Sequence, residues 1–230
     1  MNYAVKNKKQ SYIPALGLSS FNKLYDRLSQ WAFHKSSFHQ MIQESVRALG
    51  TLGNLDILEL GCGPARLAIF LKNKNPRCHI LAVDQDPSIL ELAKSNAEIA
   101  RVKINFLWKN VTQLSLPKTF DRIYSTLLFH HLTTQEKKQT LKKSQRLLKK
   151  EGVFVLTDFC ASGSWQERLK FLPVQLLDGF ESTTPHTEGW LEKNLPNYFL
   201  EVTQQSKIST FLGPVGVFVC KHHLKLKRSI

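Results

Sequence analysis

The stretch over residues 55–67, Leu-Asp-Ile-Leu-Glu-Leu-Gly-Cys-Gly-Pro-Ala-Arg-Leu, constrains the fold of this chain most strongly. Its apolar run at 57–60 is short and bounded by turn residues, which is typical of a strand buried on both faces. Gly61 and Gly63 then permit a tight turn and let a ligand approach bare backbone. Pro64 suits the first turn of a helix, where its missing N–H costs nothing. A strand, a glycine turn and a helix N-terminus predict a binding site for a nucleotide-like ligand.

Two cofactor classes use such a turn, and the residues around it distinguish them. The dinucleotide fingerprint G-x-G-x-x-G needs a third glycine where this chain has Arg66, which weakens that interpretation. Asp84 ends a second apolar run about 20 residues further on, as the recognition of ribose hydroxyls requires. Together with Glu59, Gly61 and Gly63, it resembles the first motifs of class I S-adenosylmethionine (SAM)-dependent methyltransferases.

This resemblance implies that SAM is the cofactor and suggests a role for individual residues. Asp84 is expected to bind the ribose hydroxyls, and Glu59 to orient the turn near the amino-acid end of SAM. Asn110 stands where the family usually carries an acidic residue beside the adenine, and Val111 is expected to pack on the ring. The full set of predicted cofactor-binding residues is Glu59, Gly61, Cys62, Gly63, Asp84, Gln85, Asn110, Val111 and Ser125.

Strand and helix patterns alternate along most of the chain, which predicts an α/β fold. Strands are expected over 57–60, 78–83, 102–108, 120–126 and 153–159, with helices over 64–72, 87–100 and 134–150. Alternation at these lengths favours a mostly parallel, doubly wound, Rossmann-like sheet. The segments 198–209 and 211–221 indicate a terminal antiparallel hairpin that turns near Gly213-Pro214.

The domain organisation follows from the same patterns. Residues 1–50 are expected to form an N-terminal helical cap. Residues 51–230 are expected to form a SAM-binding methyltransferase domain, as the resemblance implies. The segment at about 161–197 breaks the alternation and is expected to be a substrate-side insertion with a helix and an irregular part. Its aromatic residues, Trp165, Phe171, Phe180 and Trp190, together with Phe129, are candidates for an apolar acceptor pocket, although aromatic residues more often form core.

Three residues are candidates for catalysis. His130 and His131 follow the fourth strand in a Leu-Leu-Phe-His-His-Leu segment that resembles quinone-type C-methyltransferases. Because histidine titrates near neutrality, either ring could deprotonate an acceptor, or it could simply cap or pack. Tyr25 belongs to a Tyr-Asp pair similar to one in the cap of small-molecule methyltransferases. No metal is predicted, since these histidines lack partner ligands at a recognisable spacing.

The net charge of +14 predicts attraction to phosphates, either in nucleic acid or on an anionic membrane face. A lysine-rich solvated surface is the preferred explanation, because lysines outnumber arginines and arginine is the residue that bidentate recognition of phosphates and bases favours. The expected partner is therefore a small, apolar or aromatic acceptor, with peripheral contact to an anionic membrane and no specific nucleic acid; the oligomeric state is left open. An RNA methyltransferase is one alternative hypothesis, suggested by the net charge and by a basic helix that carries Lys137, Lys138, Lys142, Lys143, Arg146, Lys149 and Lys150. A non-catalytic SAM-binding protein is the other, because Ala65, where the family usually has a third glycine, Asn110 and Glu151 depart from the family pattern.

Four scattered cysteines without a C-x-x-C pair are expected to be reduced and buried, as in a cytoplasmic protein. No apolar run reaches the ~20 residues that a membrane span needs, and the N-terminus lacks the apolar core of a signal peptide. The sequence therefore predicts a cytoplasmic enzyme that transfers a methyl group from SAM.

Overall fold

The computed structural model describes residues 35–222, and Tyr25 and most of the expected N-terminal cap lie outside this part of the chain. One seven-stranded sheet organises the described residues, in the order β3-β2-β1-β4-β5-β7-β6. Its strands are β1 Asp56–Leu60, β2 His79–Asp84, β3 Asn105–Trp108, β4 Phe120–Thr126, β5 Leu148–Phe159, β6 Glu201–Thr210 and β7 Gly213–Lys221. The first five pair in parallel, and β7 joins β5 and β6 antiparallel. The predicted Rossmann-like sheet with a terminal hairpin is confirmed.

Helices cover both faces of this sheet. They are α1 Lys35–Leu49, α2 Arg66–Lys74, α3 Pro87–Ile99, α4 Thr134–Leu147, α5 Trp165–Asp178, α6 Phe180–Thr187 and α7 Trp190–Asn194, with 3₁₀ turns at Val111–Gln113, Phe129–His131 and Leu195–Asn197. In β1, Ile57 belongs to a core cluster with α1, α2 and α5, whereas Leu58 belongs to a second cluster with α4 and α7. This alternation is the two-residue period of a strand buried on both faces.

Several element boundaries differ from the sequence prediction. Helix α2 begins at Arg66 rather than Pro64, because Ala65 adopts a left-handed conformation (φ 60°) that interrupts helical geometry. Strand β3 is shorter than 102–108. The terminal hairpin turns at 211–212, where the Thr210 hydroxyl accepts the Leu212 N–H, and Pro214 lies inside β7.

The helix predicted over 134–150 ends at Leu147, and its last residues belong to β5. Leu148 is buried and pairs with Phe120 across a register shift in the β4–β5 ladder. Lys149 forms an ion pair with Asp121 at 2.9 Å. Tertiary pairing thus overrides the local helical preference of this basic segment.

The segment predicted as an insertion contains three helices, α5 to α7, rather than one helix and an irregular part. A buried hydrogen bond attaches it to the sheet, because Nδ1 of His186 donates to the carbonyl of Phe159 at 2.7 Å. Within the segment, the Ala161 N–H donates to Glu192 at 2.9 Å. Within residues 35–222, no helix is long and apolar enough to cross a membrane.

Lys137 forms a further attachment from the opposite side. This α4 side chain is fully buried, its Nζ donates to the carbonyl of Ser182 in α6, and it lies 5.8 Å from the ring centroid of Trp190 in α7. Burial lowers the pKa of Lys137 to about 8.

Replacing this amine should change how stability depends on pH. Between about pH 8 and pH 10.4 the unfolded chain binds more protons at Lys137 than the folded chain, so the free energy of unfolding rises with pH across this window. Lys137→Met removes that contribution. We expect wild type to gain about 1–3 kcal/mol relative to the variant over the window, measured by urea unfolding at a series of pH values.

Lys138→Met, at the neighbouring exposed position, is the matched control and should give a pH dependence parallel to that of wild type. Parallel curves for wild type and Lys137→Met would show that the buried amine has an ordinary pKa.

Candidate active site

The glycine turn after β1 is closed by a carboxylate from β2. Oδ2 of Asp84 accepts the N–H of Gly63 at 2.9 Å, and its Oδ1 accepts the N–H of Asp86 at 3.0 Å. Burial raises the pKa of Asp84, while these amide donors lower it. The structure therefore places Asp84 beside Gly63, as the resemblance implies, and gives it a role in shaping the turn.

The other amides of the turn are also satisfied within the protein. The N–H groups of Gly61 and Cys62 both donate to the carbonyl of Val83, at 2.8 and 2.9 Å. A dinucleotide pyrophosphate binds through free N–H groups at such a turn. The amides of residues 61–63 are already paired within the protein and do not offer such groups, which weakens the dinucleotide interpretation further.

Three alternate positions, Gly61, Gly63 and Ala65, have a left-handed backbone conformation. Gly61 and Gly63 have φ of 68° and 51°, and a Cβ at Gly63 would meet no atom within 4 Å. This open space is where a ligand can approach. Ala65 also has a left-handed φ, which costs an L-residue about 1–2 kcal/mol, so its replacement of the family glycine is not neutral.

Glu59 is a buried acid at the carboxyl end of β1. Its side chain is almost inaccessible, and Oε2 has no hydrogen-bond partner among the described residues. Burial raises the pKa of Glu59 well above its usual range, the Tyr124 hydroxyl near it lowers the pKa in part, and the nearby Asp84 raises it again. An unpartnered buried carboxyl oxygen beside an open glycine turn fits a site that receives a polar ligand.

The residues expected near the adenine form a network of their own. Nδ2 of Asn110 donates to Oε1 of Gln85 at 2.7 Å, while its Oδ1 accepts the N–H of Thr112. Trp108, at the end of β3, donates from Nε1 to the carbonyl of Gln85 and keeps 67% of its surface exposed. Val111 is buried in the second core cluster. The adenine contacts of Gln85, Asn110 and Val111 remain predictions.

Two predicted cofactor-binding side chains lie inside the fold. The Ser125 hydroxyl is fully buried and donates to the carbonyl of Leu60, which links β4 to β1. Cys62 is buried as well, and burial raises the pKa of its thiol. Both residues are adjacent to the turn, but the structure gives their side chains packing roles.

The turn after β4 is strained and carries His130. Leu127 has φ 53°, a conformation unusual for leucine, and the 3₁₀ turn Phe129–His131 follows. Asp158, fully buried at the end of β5, fixes this turn: Oδ2 accepts the Phe129 N–H at 2.7 Å, and Oδ1 accepts Nδ1–H of His130 at 2.8 Å. Burial alone would raise the pKa of Asp158, but His130 and His186 lower it below its usual range.

His131 lies beside His130 and meets a second carboxylate. The two imidazole centroids are 4.0 Å apart, and Nδ1 of His131 is 3.3 Å from Oδ1 of Asp178, the last residue of α5. Desolvation lowers the pKa of His131, but Asp178, and then the more distant Asp158 and Asp84, outweigh it and raise the pKa. The effect of Asp84 links this cluster electrostatically to the glycine turn.

Sequence reasoning missed Asp158, Asp178 and His186. His186 is buried, and its Nε2 has no partner among the described residues; burial lowers its pKa to about 4. Each lies at least 28 residues from His130 in the sequence and forms no recognisable motif with it. Only the tertiary fold brings these residues together. The one signal in the sequence was Asp158, an acidic residue close to the end of the predicted strand β5. Tyr25 lies outside the described residues.

Comparison with known proteins identifies the domain. Residues 57–152 match a family model described as a methyltransferase domain. The chain is 30% identical over 138 residues to a methyltransferase of Geobacillus sp. (strain WCH70), covering 59% of this chain and 55% of that protein. It is 29% identical over 145 residues to the malonyl-[acyl-carrier protein] O-methyltransferase of Priestia megaterium (strain DSM 319 / IMG 1521), covering 63% and 50%.

Structural comparison agrees. The magnesium protoporphyrin IX methyltransferase of Synechocystis PCC 6803, solved with bound S-adenosylhomocysteine, superposes with a TM-score of 0.63 and 15% identity, over 83% of this chain and 84% of that one. At this identity the likeness shows a shared fold. The chain spans 50–61% of the length of the first curated relatives that it matches. Residues 57–152 therefore match a methyltransferase domain, and the resemblance of this chain to class I SAM-dependent methyltransferases is confirmed.

Proposed function

We propose that this protein transfers a methyl group from SAM to a small-molecule acceptor bound at the carboxyl edge of the sheet. The observation that carries the proposal is the glycine turn, which is open at Gly63 and adjoins both Asp84 and the unpartnered carboxyl oxygen of Glu59. This arrangement lies within the matched methyltransferase domain.

The residues present fit SAM. Asp84 retains lone pairs for the ribose hydroxyls after accepting two amides, and the open space at Gly63 admits the ligand to the backbone. Glu59 would orient the turn and accept a hydrogen bond near the amino-acid end. When bound, SAM supplies a methyl group already activated for in-line displacement. The protein then has to position the acceptor and exclude water.

The acceptor is expected to lie between the β4 turn and helix α5. His130 and His131 stand at that edge, and one of them could remove a proton from the acceptor, whereas Asp158 and Asp178 act as positioning residues. Tyr25 is proposed to complete the site from the cap. Trp165 and Phe180 are more than half exposed and could contact an apolar acceptor, whereas Phe129 and Phe171 are buried in the core.

Relatives support a small-molecule acceptor in part. Several are malonyl-[acyl-carrier protein] O-methyltransferases, and one is a ribosomal protein L11 methyltransferase. An apolar or aromatic acceptor is our inference from the exposed side chains of α5, Trp165, Leu169, Leu172 and Leu176, which recur at helical spacing. The same stripe, with the net charge of +14, would also suit peripheral contact with an anionic membrane.

An RNA acceptor loses part of its basis in the structure. Of the basic residues that suggested it, Lys137 is buried and Lys149 is paired with Asp121. Three others, Lys142, Lys143 and Arg146, line an open depression with Thr112. Binding to RNA that is indifferent to sequence and lost steeply with added salt would mark this charge as nonspecific.

A non-catalytic SAM-binding protein is the other alternative, because Ala65, Asn110 and Glu151 depart from the family pattern. Incubation with methyl-labelled SAM and a cell extract distinguishes the two. Label in an organic-soluble product, found only with active protein, supports catalysis on a small molecule.

Four free, buried cysteines support the proposed cytoplasmic location.

Asp84→Ala should weaken SAM binding about tenfold to a hundredfold, because it removes a charge-assisted contact worth about 1.5–3 kcal/mol. It should also lower the thermal midpoint, since the amides of Gly63 and Asp86 lose their acceptor. Calorimetry with SAM and a thermal melt measure the two effects separately.

Asp86→Ala is the matched control. Asp86 caps α3 by accepting the N–H groups of Ser88 and Ile89, so its loss should cost about 0.5–2 kcal/mol of stability with little effect on affinity. Loss of binding in Asp86→Ala but not in Asp84→Ala would move the ribose assignment by two residues.

Single substitutions of aromatic residues in the insertion should change the KM for the acceptor and the affinity for SAM to different extents. Trp165→Ala changes an exposed residue and should raise the KM for the acceptor, once one is identified, while SAM affinity stays within about twofold. Trp190→Ala, by contrast, opens space beside the buried Lys137 and should mainly lower the thermal midpoint. Equal losses of acceptor use and SAM affinity in Trp165→Ala would remove its acceptor role.

A further inference from the structure

Three side chains of metal-ligand type meet beside the β4 turn. Nε2 of His130 is 3.7 Å from Oδ2 of Asp178, and Nδ1 of His131 is 3.3 Å from Oδ1 of the same carboxylate. One ligand atom from each residue lies within 4.8 Å of the other two. The histidines come from the 3₁₀ turn and the aspartate from the end of α5, so two separate elements build the cluster.

The hydrogen bonds around His130 leave one nitrogen to be explained. Nδ1–H of His130 donates to Asp158, so in the neutral ring Nε2 carries a lone pair. That lone pair lies near the negatively charged Asp178 at 3.7 Å, and His130 is buried. Lone pair and carboxylate repel each other unless a cation lies between them. Either a proton or a metal ion can serve.

The spacing of the ligand atoms suits a metal ion. Zinc binds imidazole nitrogen and carboxylate oxygen at about 2.0–2.2 Å, which puts neighbouring ligand atoms of a tetrahedral site about 3.3–3.5 Å apart. The two nitrogen–oxygen distances, 3.3 and 3.7 Å, bracket this range. By contrast, the hydrogen bond between His130 and Asp158 is 2.8 Å long.

The surroundings of His130 are those of a prepared metal ligand. A buried carboxylate on the far nitrogen fixes the tautomer and the orientation of the ring, and Asp158 does this here while also holding the strained turn through the Phe129 N–H. A second buried imidazole, His186, lies 6.4 Å away between ring centroids, and its Nε2 has no partner among the described residues. The cluster therefore has a further imidazole nitrogen nearby, Nε2 of His186, that could accept a cation or a proton.

We propose that His130, His131 and Asp178 bind a divalent transition-metal ion of zinc-like preference, with Asp158 as the residue that positions His130. Two imidazoles and one carboxylate favour such an ion over Mg²⁺, which prefers oxygen ligands. The sequence alone indicated no metal because Asp178 lies 47 residues beyond His131 in a different element.

Three protein ligands leave a coordination position open, which is the pattern of catalytic rather than structural zinc sites. An acceptor hydroxyl bound there would lose its proton more readily, and the imidazoles would serve as ligands instead of bases. This consequence rests on the proposed methyl transfer, whereas the metal binding itself does not.

The test uses the full chain, stripped of metal with a chelator and dialysed. Calorimetry with Zn²⁺ should give one site per chain, and Mg²⁺ should give none at the same concentrations. Asp178→Asn and His131→Gln should each weaken Zn²⁺ binding at least tenfold, with thermal midpoints measured on the metal-free proteins. His79→Ala, which changes an exposed histidine elsewhere on the sheet, should bind Zn²⁺ as wild type does.

Co²⁺ provides a second measurement that does not depend on the variants. The wild-type complex should show visible ligand-field bands without thiolate charge transfer, because the cluster has nitrogen and oxygen donors only. Absence of Zn²⁺ binding, a thiolate signature, or equal affinity in Asp178→Asn and wild type would overturn the proposal. SAM calorimetry on the metal-free protein tests the proposed function separately, since the glycine turn contains none of these ligands.

Discussion

A carboxylate that reaches from one strand to the turn of its neighbour is the interaction on which this site depends. Asp84 at the end of β2 accepts the Gly63 N–H of the turn after β1. Asp158 at the end of β5 accepts the Phe129 N–H of the turn after β4. Because β2 and β5 flank the central pair β1 and β4, the two carboxylates fix both central turns from outside.

Each of these turns contains a backbone conformation that an L-residue adopts at a cost. Ala65 and Leu127 have φ of 60° and 53°. A charge-assisted hydrogen bond from a backbone amide to a buried carboxylate is worth roughly twice a neutral one, which can offset strain of about 1–2 kcal/mol. The strain keeps the backbone open at Gly63 and presents the two histidines at the same edge. The strained backbone conformations of the two turns are thus stabilised by carboxylates on the neighbouring strands.

The helical insertion supplies what the sheet alone lacks. It delivers Asp178 to the histidine pair and is itself held by buried polar contacts from both sides, His186 to the carbonyl of Phe159 and Lys137 to that of Ser182. A buried lysine and a buried imidazole are expensive to desolvate and are rarely found without partners. These two buried hydrogen bonds attach the insertion to β5 on one side and to α4 on the other.

The sequence by itself determined the sheet, its glycine turn and the family resemblance, because buried parallel strands and left-handed turns restrict residue types locally. Asp86 as a helix cap and β4 at Phe120–Thr126 followed from the same local rules. Only the tertiary structure decided that Lys149 belongs to a strand, that Ser125 faces inward, and that Asp158 and Asp178 meet the histidines. These outcomes depend on strand order and on pairing between distant segments, which leave no periodic signal in the chain.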